Sequence, residues 1–378
     1  MDTSSARGLY IHVPFCRSRC HFCAFYLQIY HPKQAERFIS SLVQEITWYA
    51  TRCLFTDRPI ESVYIGGGTP TTLSVRQLSI VLSTIRDRFP LEPQAEITIE
   101  AHPDTMTAAY LRALVEAGFN RISFGAESMN QDELISIGRS GSAPATSRAV
   151  DLARACGFEN INLDLMYGLP DQTREGWLRT LHSVIALQPA HVSCYALTIE
   201  EDTKLEREVH RGVMDEPDPE IQNELETLAA EELAAAGFHR YEISNYHRPG
   251  YPCRHNLLYW TGGSYLGLGP SAQSYFGDLR WGNIPDVESY IRLLRQGNLP
   301  STDIDILSLD QLRREHFVFG LRRTEGVSSD RWPREDDVEW VMAVQRLIQE
   351  NLLVQTDDRL ALTDQGRRFA DSIAVQLV

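Results

Sequence analysis

The chain has 378 residues, of which 43% are hydrophobic and 23% are charged, and its formal net charge at pH 7 is −15. This length allows one large domain and a small one. The acidic balance argues against a nucleic acid as the main partner, and no apolar run approaches the ~20 residues that a membrane-spanning helix needs. Peripheral contact with a membrane stays open.

The N-terminal segment and the cysteines indicate the compartment. Met1–Arg7 is polar and no long apolar run follows, so we expect no signal peptide. The seven cysteines are an odd number in a long chain, which does not suit the disulfide framework of small secreted proteins. We therefore expect reduced thiols and a cytoplasmic protein.

The first two-thirds of the chain alternates short apolar strands with amphipathic helices. The predicted strands are Leu9–Val13, Ser62–Ile65, Glu96–Glu100, Arg121–Gly125, Asn160–Met166 and His191–Leu197. The predicted helices are Gln34–Ala50, Val75–Asp87, Ala108–Ala117, Thr146–Ala155, Glu175–Leu187 and Glu220–Ala235. Six strand–helix units in succession predict parallel strands joined by right-handed crossovers. Because six units fall short of a closed eight-fold barrel, we expect an α/β fold with a partial (β/α)6 barrel, and a doubly wound sheet is the alternative.

After residue 280 the pattern becomes helical. The predicted elements are helices over Ser289–Gln296, Leu309–Leu321 and Asp337–Asn351, a hairpin over Leu352–Leu362 and a last helix from Thr363. Helices followed by a two-stranded wing predict a small winged-helix-like domain. We therefore divide the chain into domains 1–280 and 281–378. The acidic charge favours a packing cap or substrate lid over a DNA-binding role.

Three cysteines follow the first strand in one short loop, at Cys16, Cys20 and Cys23. Soft thiolate ligands at such short spacing are typical of iron–sulfur clusters. Three cysteines would leave one iron of a [4Fe–4S] cube open to a small molecule. A zinc site with His12 or His21 as fourth ligand is the alternative, although zinc sites usually have paired cysteine knuckles or a distant histidine pair.

Other chemically distinctive residues lie at or just beyond the carboxyl ends of later strands. They are Gly66-Gly67-Gly68-Thr69-Pro70 after the second strand, Glu100 on the third, Glu127 after the fourth, Asp164 on the fifth and Tyr195 on the sixth. Glycine lets backbone approach a ligand closely. Because barrels of this kind have their active site on this face, we expect one shared site.

The cysteine spacing and the glycine turn resemble those of the radical SAM superfamily, and in particular its oxygen-independent coproporphyrinogen III oxidase-like group. The resemblance implies that Cys16, Cys20 and Cys23 bind a [4Fe–4S] cluster, whose open iron chelates the amine and carboxylate of S-adenosylmethionine. In that superfamily an electron from the cluster cleaves the sulfonium to a 5′-deoxyadenosyl radical.

The resemblance also implies contacts with S-adenosylmethionine. The residues concerned are Gly66, Gly67, Gly68 and Thr69 near the methionyl amine, Tyr10 beside the cofactor, Phe22 near the adenine, Glu100 and Arg139 near charged groups, Asp164 near a ribose hydroxyl, and also Glu127 and Ala196. Glu127 departs from the usual glutamine, so it keeps an acceptor and loses a donor. No catalytic residue is assigned.

A second motif, His255-Asn256-Leu257-Leu258-Tyr259-Trp260, matches the heme chaperones of this group. The match implies that His255 is an axial ligand of heme iron, with Cys253 as a second candidate ligand and Tyr259 and Trp260 as apolar surface against the porphyrin. Gln273 stands where a histidine is common in the group. The residues alone leave another interpretation open, in which His255 bonds to backbone and the aromatic pair anchors a loop.

Phe25 separates the functions that the resemblance implies. True coproporphyrinogen dehydrogenases have a cysteine two positions after the third cluster ligand, where this chain has Phe25. We therefore predict a heme chaperone that binds heme, a [4Fe–4S] cluster and S-adenosylmethionine, and that delivers heme to acceptor proteins such as respiratory enzymes. The alternative is a radical SAM enzyme that acts on a porphyrin or other small substrate, as a coproporphyrinogen III dehydrogenase, a methyltransferase or a heme-degrading enzyme. A flavodoxin or ferredoxin is the expected electron donor, and a homodimer stays open.

Overall fold

The structure is a computed structural model that describes residues 6–52, 55–334 and 336–378, so most of Met1–Arg7 lies outside the described residues. The strands in chain order are β1 (Arg7–Val13), β2 (Phe15–Cys16), β3 (Gln28–Ile29), β4 (Ile60–Gly67), β5 (Leu91–Ala101), β6 (Arg121–Glu127), β7 (Asn160–Tyr167), β8 (His191–Ala196), β9 (His239–Arg240), β10 (Asn245–His247), β11 (Ser264–Leu268), β12 (Gln273–Phe276), β13 (Leu279–Asn283), β14 (Ser301–Ile306), β15 (Val327–Ser328), β16 (Leu353–Gln355) and β17 (Arg359–Leu362). The α-helices are α1 (Pro32–Thr51), α2 (Val75–Arg88), α3 (Ala108–Ala117), α4 (Gln131–Ser136), α5 (Ala143–Ala155), α6 (Arg174–Ala186), α7 (Lys204–His210), α8 (Pro219–Ala235), α9 (Arg254–Trp260), α10 (Val287–Arg295), α11 (Leu309–Leu321), α12 (Val338–Gln349), α13 (Asp364–Arg368) and α14 (Ala370–Leu377). Short 3-10 helices cover Pro70–Thr72, Pro103–Thr105 and Ser329–Arg331.

Twelve of the described strands form one large sheet, in the order β14-β13-β12-β11-β1-β4-β5-β6-β7-β8-β10-β9. Its centre consists of β1, β4, β5, β6, β7 and β8, which are parallel and lie side by side in chain order. Sequential parallel neighbours with right-handed crossovers keep the helices on one face, as in a barrel. A doubly wound sheet would reverse its strand order at one point, so the predicted partial (β/α)6 barrel is confirmed.

The sheet extends beyond the six predicted strands at both edges. β11 pairs in parallel with β1, from Arg7 opposite Ser264 to Ile11 opposite Leu268. β12, β13 and β14 then follow as antiparallel neighbours. At the other edge, β10 and β9 add antiparallel to β8. None of these additional strands was predicted from the sequence.

The C-terminal segment forms a second, smaller core. Helices α11, α12 and α14 pack around a three-stranded sheet in the order β15-β17-β16, and the buried side chains include Phe317, Trp340 and Leu347. The predicted C-terminal helices and the hairpin β16–β17 are confirmed. The domain division at residue 280 stays a prediction; β13 spans this position and pairs within the large sheet. None of the described helices is long and apolar enough to cross a membrane.

Helix α1 is fixed to the sheet by its apolar face and by one buried carboxylate. Glu45 on this helix is fully buried. It accepts hydrogen bonds from Tyr290 Oη at 2.6 Å, from the Gly269 amide at 2.8 Å and from Asn283 Nδ2 at 2.6 Å. Burial raises the pKa of Glu45 to about 7 in spite of these three donors.

We expect Glu45→Gln to change the way in which stability depends on pH. The pKa of this carboxyl rises from 4.5 to about 7 on folding, so between these pH values the folded chain holds a proton that the unfolded chain has lost. The Glu45 carboxyl therefore lowers the free energy of unfolding by up to about 3 kcal/mol as the pH rises from 4.5 to 7. In Glu45→Gln this decrease should be absent. Urea unfolding at several pH values measures the slope of the free energy of unfolding against pH. Glu36→Gln, an exposed position on the same helix, should keep the wild-type slope, and an unchanged slope in Glu45→Gln would contradict the prediction.

Candidate functional site

The carboxyl ends of the central strands meet at one cavity of about 450 Å³. Parallel strands end at the same edge of a sheet, so residues that are distant in the chain come together there. The predicted site residues that line this cavity are Cys16, Cys20, Phe22, Cys23, Gly67, Gly68, Thr69, Glu100, Glu127, Arg139, Asp164 and Tyr195. Tyr10, Gly66, Ala196 and His255 do not line it. We call it the cysteine cavity; the role of each residue in it stays a prediction.

The three cysteines belong to the wall of this cavity. Cys16 ends β2, and its Sγ lies 3.3 Å from Thr69 Oγ1. Arg139 Nη1 donates to Cys20 Sγ over 3.7 Å. Burial raises the pKa of the Cys16 thiol to about 11 and also raises the pKa of Cys23.

The three cysteine thiols fit the ligand set of an iron–sulfur cluster. Burial keeps the Cys16 and Cys23 thiols protonated near neutral pH, and a bound metal would compensate the charge of the thiolates. In the described part of the chain, no three His, Cys, Asp or Glu side chains are grouped as ligands of a single metal ion. The cysteine ligands of a cube bind different iron atoms, so their sulfur atoms need not surround one point.

The two histidines considered as a fourth zinc ligand have other partners. His12 is buried, with Nδ1 3.2 Å from Tyr10 Oη and Nε2 3.3 Å from the Tyr26 carbonyl oxygen. His21 Nε2 lies 2.9 Å from Lys204 Nζ. Neither histidine lines the cysteine cavity.

The glycine turn brings backbone to the cavity wall. Gly67 has a φ of +106°, a conformation that favours glycine, and its amide donates to Glu100 Oε2 over 3.0 Å. The Gly68 amide donates to the Val13 carbonyl over 2.8 Å, and a Cβ at this position would lie 2.7 Å from the Phe15 carbonyl oxygen. The turn therefore presents backbone, without side chains, to a ligand in the cavity.

We expect Gly67→Ala to lower stability more than Gly157→Ala. Both glycines have a φ of +106°, so each alanine carries the cost of a left-handed residue, about 1–2 kcal/mol. A Cβ at Gly67 would lie 2.7 Å from the His12 ring, whereas a Cβ at Gly157 would meet Val115 at 3.8 Å. Overpacking against the ring adds about 1–3 kcal/mol to Gly67→Ala alone. Urea unfolding measures the loss in free energy of unfolding for each variant. Equal losses would contradict the crowding of a side chain at Gly67 by the His12 ring.

Two carboxylates reach the cavity from β5 and β7. Glu100 accepts from Tyr64 Oη over 2.8 Å, and burial raises its pKa to about 7. Asp164 accepts from Ser123 Oγ and from Asn162 Nδ2, each over 2.8 Å. These donors hold both carboxylates in place. Their remaining lone pairs can accept hydrogen bonds from a ligand amine or hydroxyl.

A buried ion pair connects β6 to the cysteine wall. Glu127 has a φ of +60° next to an irregularity in the pairing of β6 with β7, which begins at Gly125. Arg139 Nη2 lies 3.5 Å from Glu127 Oε1, and Tyr195 Oη donates to Glu127 Oε2 over 2.7 Å. Burial raises the pKa of Glu127, and the charge of Arg139 opposes this shift. Because Arg139 also donates to Cys20, its positive charge lies between a carboxylate and a proposed cluster ligand.

Some cavity residues were not predicted from the sequence. They are Arg17, Ser18, Leu27, Ala101, His102, Asp104, Thr105, Gly125 and Ser140. His102 follows Glu100 by two residues, just beyond the end of the same strand, and this position is the signal that could have included it. Burial and the nearby charge of Arg139 lower the pKa of His102 to about 4, so its ring is neutral near pH 7.

His255 lies in α9, away from the cysteine cavity. The residue is 2% exposed, with Nδ1 2.8 Å from Ser62 Oγ and Nε2 2.9 Å from Tyr259 Oη. Burial and the charge of Arg121 lower its pKa to about 3. Cys253, the second candidate heme ligand, is fully buried. Heme ligation by His255 stays a prediction, and it requires one of the two ring hydrogen bonds to break.

Comparison with known proteins identifies the family. The radical SAM superfamily matches residues 10–184, and the HemN C-terminal domain matches residues 307–369. The heme chaperone HemW of Mycobacterium tuberculosis (strain CDC 1551 / Oshkosh) is 35% identical, over 98% of this chain and 94% of its own length. This chain belongs to the HemW family. HemW of Bacillus subtilis (strain 168) is 32% identical, over 97% of this chain and 98% of its own length.

A solved structure has the same fold as this HemW-family chain. The coproporphyrinogen III oxidase HemN of Escherichia coli, a radical SAM enzyme, matches it with a TM-score of 0.86 at 24% identity. The match covers 99% of this chain and 90% of HemN. As a member of the radical SAM superfamily, the HemW-family chain has a [4Fe–4S] cluster and S-adenosylmethionine as its cofactors.

Proposed function

We propose that this chain is a heme chaperone, which binds heme and delivers it to acceptor proteins. The observation that carries the proposal is the similarity, over nearly the whole chain, to relatives named heme chaperone HemW. Two local features support it. One is the motif from His255 to Trp260, and the other is Phe25 at the position where a coproporphyrinogen dehydrogenase is expected to have a cysteine.

We further propose that Cys16, Cys20 and Cys23 hold the [4Fe–4S] cluster and that the polar wall of the cysteine cavity holds S-adenosylmethionine. When bound, the cluster supplies single electrons to the sulfonium of this cofactor. The cavity residues proposed to contact S-adenosylmethionine are Phe22, Gly67, Gly68, Thr69, Glu100, Glu127, Arg139 and Asp164. For Tyr10, Gly66 and Ala196, which do not line the cavity, the proposed contact rests on the resemblance alone. Because Glu127 is buried, Glu100 and Arg139 are half-buried and all three are already bonded to the protein, they orient a ligand with little rearrangement.

A radical SAM enzyme acting on a porphyrin is the second candidate. The observation in its favour is that the thiols, the glycine turn and the carboxylates share one cavity, as an enzyme of this superfamily requires. Phe25 also lines that cavity and is 65% exposed. An enzyme would convert S-adenosylmethionine to 5′-deoxyadenosine or to a methylated product in step with substrate loss. Anaerobic assays with coproporphyrinogen III and with heme test this candidate.

The proposed partners extend beyond heme. We propose a cytoplasmic protein whose heme acceptors include respiratory enzymes and whose cluster is reduced by a flavodoxin or ferredoxin. Peripheral contact with a membrane is tested by cosedimentation with anionic lipid vesicles. Light scattering tests for a homodimer.

The decisive experiment is an anaerobic heme titration. Cluster-reconstituted protein is titrated with hemin, followed by absorption, and the loaded protein is then mixed with apomyoglobin as a heme-free acceptor. We expect saturable binding and transfer of heme to the acceptor. Protein that has an intact cluster and binds no heme would contradict the chaperone and favour the enzyme.

A further inference from the structure

The loop that contains the three cysteines is basic, although the chain as a whole is acidic. Residues 14–35 contain Arg17, Arg19 and Lys33 and no Asp or Glu, whereas the whole chain has 51 acidic residues and a net charge of −15. All three cationic side chains are exposed. A cationic patch on an acidic protein attracts an anionic partner and speeds its association.

The two arginines of this loop keep their charge available to such a partner. In the described part of the chain neither forms an ion pair with a carboxylate, and Arg19 Nη2 donates to the Phe25 carbonyl oxygen over 3.2 Å. Asp104 is an exposed carboxylate that lines the same cavity as Arg17, and no ion pair joins the two within the described residues. Burial raises the pKa of the Cys23 thiol and the charge of Arg19 opposes this shift, so this cation lies close to a proposed cluster ligand.

Exposed apolar side chains lie beside these cations. Phe25 is 65% exposed and Ile29 is 58% exposed. Ile29 pairs with Cys16 in the short ladder of β2 with β3, and Phe25 lines the cysteine cavity. Arginine and aromatic residues are enriched in protein interfaces, and exposed apolar groups next to one another often mark such a site. We call the surface formed by Arg17, Arg19, Phe25 and Ile29 the cysteine-loop surface.

We propose that the cysteine-loop surface docks the electron donor, an acidic protein that carries single electrons. This inference rests on the proposed function and specifies where the donor binds. One electron passes from the reduced donor to the cluster proposed at Cys16, Cys20 and Cys23, so the donor is oxidised by one electron and the cluster is reduced by one. No proton or covalent bond is exchanged. Cys20 and Cys23 are half-buried, so a partner on this surface approaches the cluster ligands closely.

A protein donor fits this surface better than an anionic membrane does. Membrane-binding patches usually contain about 4–8 basic residues, and this loop has Arg17, Arg19 and Lys33. Transient redox complexes bury less than about 1,200 Å², an area that a few exposed side chains around one loop can supply. The surface also surrounds the cysteines, which gives a redox partner a direct approach and which adsorption to lipid does not require.

The test compares a protein donor with a small neutral reductant on the cluster-reconstituted full chain. Fully reduced flavodoxin is the acidic protein donor and photoreduced 5-deazariboflavin is the small reductant; the reduced cluster is measured by EPR after rapid freezing. The variants are the double charge reversal Arg17→Glu/Arg19→Glu and Phe25→Asp. Arg112→Glu is the charge control, because Arg112 is exposed on α3. Phe369→Asp is the control for the phenylalanine, because Phe369 is 49% exposed in the C-terminal segment.

We expect the double charge reversal to slow reduction by flavodoxin at least about tenfold at low ionic strength, because charges at an interface set the rate of association. Added salt should slow the wild-type reaction until the two rates converge, since it screens exposed charges. Phe25→Asp should slow reduction by flavodoxin about threefold or more, because it places a negative charge on the docking surface. The iron content and the rate with 5-deazariboflavin should stay within about twofold of wild type. Both controls should match wild type.

Several outcomes overturn the inference. If flavodoxin reduces both surface variants as fast as wild type, the donor binds elsewhere, while the proposed chaperone function stands. If Arg112→Glu slows the reaction as much as the double variant, net charge alone sets the rate. If the double variant loses the cosedimentation of wild type with anionic lipid vesicles and keeps the flavodoxin rate, the surface contacts a membrane instead.

Two safeguards keep the test decisive. If the double variant does not assemble its cluster, Phe25→Asp and the salt dependence of the wild-type rate decide whether the donor docks at this surface. The hemin titration is independent of these rates. Wild type that is reduced by flavodoxin at the cysteine-loop surface and binds no heme would contradict the proposed chaperone and leave the donor site in place.

Discussion

We expect Cys20→Ser to lose nearly all of its iron and acid-labile sulfide, with an iron content below about a tenth of the wild-type value. Serine offers a hard oxygen in place of the soft thiolate that such clusters select, and the other two cysteines cannot hold the cube alone. Cys16→Ser and Cys23→Ser should behave in the same way. Iron and sulfide analysis after anaerobic reconstitution, together with the visible absorption of the cluster, measures the loss.

Cys156→Ser is the matched control for these variants. Cys156 is a half-buried thiol that donates to the Ala108 carbonyl over 3.5 Å, and it does not line the cysteine cavity. It should retain wild-type iron and sulfide. Full iron in Cys20→Ser, or an equal loss in Cys156→Ser, would contradict the proposed cluster ligands. Zinc in place of iron in the wild-type protein would instead favour the zinc alternative.

Local signals in the sequence account for the central elements that were predicted. Helix α3 has the predicted ends, Ala108 and Ala117, and both ends have local causes. Thr107 caps the first turn by accepting from the Tyr110 amide, and Gly118 ends the helix with a φ of +97°. The central parallel strands were predictable for a similar reason, because each is a short segment with several apolar residues, and all but the first lie between two amphipathic helices.

The added strands at the sheet edges lacked such signals. β11 is a five-residue strand whose partner, β1, lies at the other end of the domain in sequence. Its Gly267 has no room for a side chain, since a Cβ there would lie 2.1 Å from the Gln273 carbonyl oxygen. A glycine inside a short strand weakens the sequence pattern, and only the tertiary contact explains it. Composition therefore could not predict that the sheet continues to β14.

The candidate site was predictable in outline and not in its contacts. Strand order alone brings Glu100, Asp164 and the cysteines to one edge, which is why their common location followed from the sequence. The bond between Arg139 and Cys20, in contrast, joins two loops whose meeting depends on the whole fold. Motif matching also could not predict the burial of His255, because the Ser62 hydroxyl that is hydrogen-bonded to it lies on β4.

The second large effect is expected from Arg139→Met. This substitution removes the cation next to Glu127, which stays buried and negatively charged at high pH. Breaking a buried pair in this way costs about 3–5 kcal/mol. Removal of Arg139 also raises the pKa of Glu127 further, so the folded state takes up a proton more readily than the unfolded state. The loss of stability should therefore be largest at high pH and should shrink as the pH falls and Glu127 becomes protonated.

The double variant Arg139→Met/Glu127→Gln separates lost charge pairing from lost packing. Glutamine at residue 127 keeps an acceptor for Tyr195 and removes the unpaired charge, so it should recover at least about half of the stability that Arg139→Met loses. Urea unfolding of cluster-free protein at pH values from acidic to alkaline measures both variants. Arg37→Met, which breaks a half-exposed pair with Glu288, should cost at most about 1 kcal/mol. If Arg139→Met costs no more than this surface pair, or if Glu127→Gln recovers none of its loss, the buried charge does not determine the stability of the cavity wall. The cause would then be the packing of the Arg139 side chain against the cysteine loop.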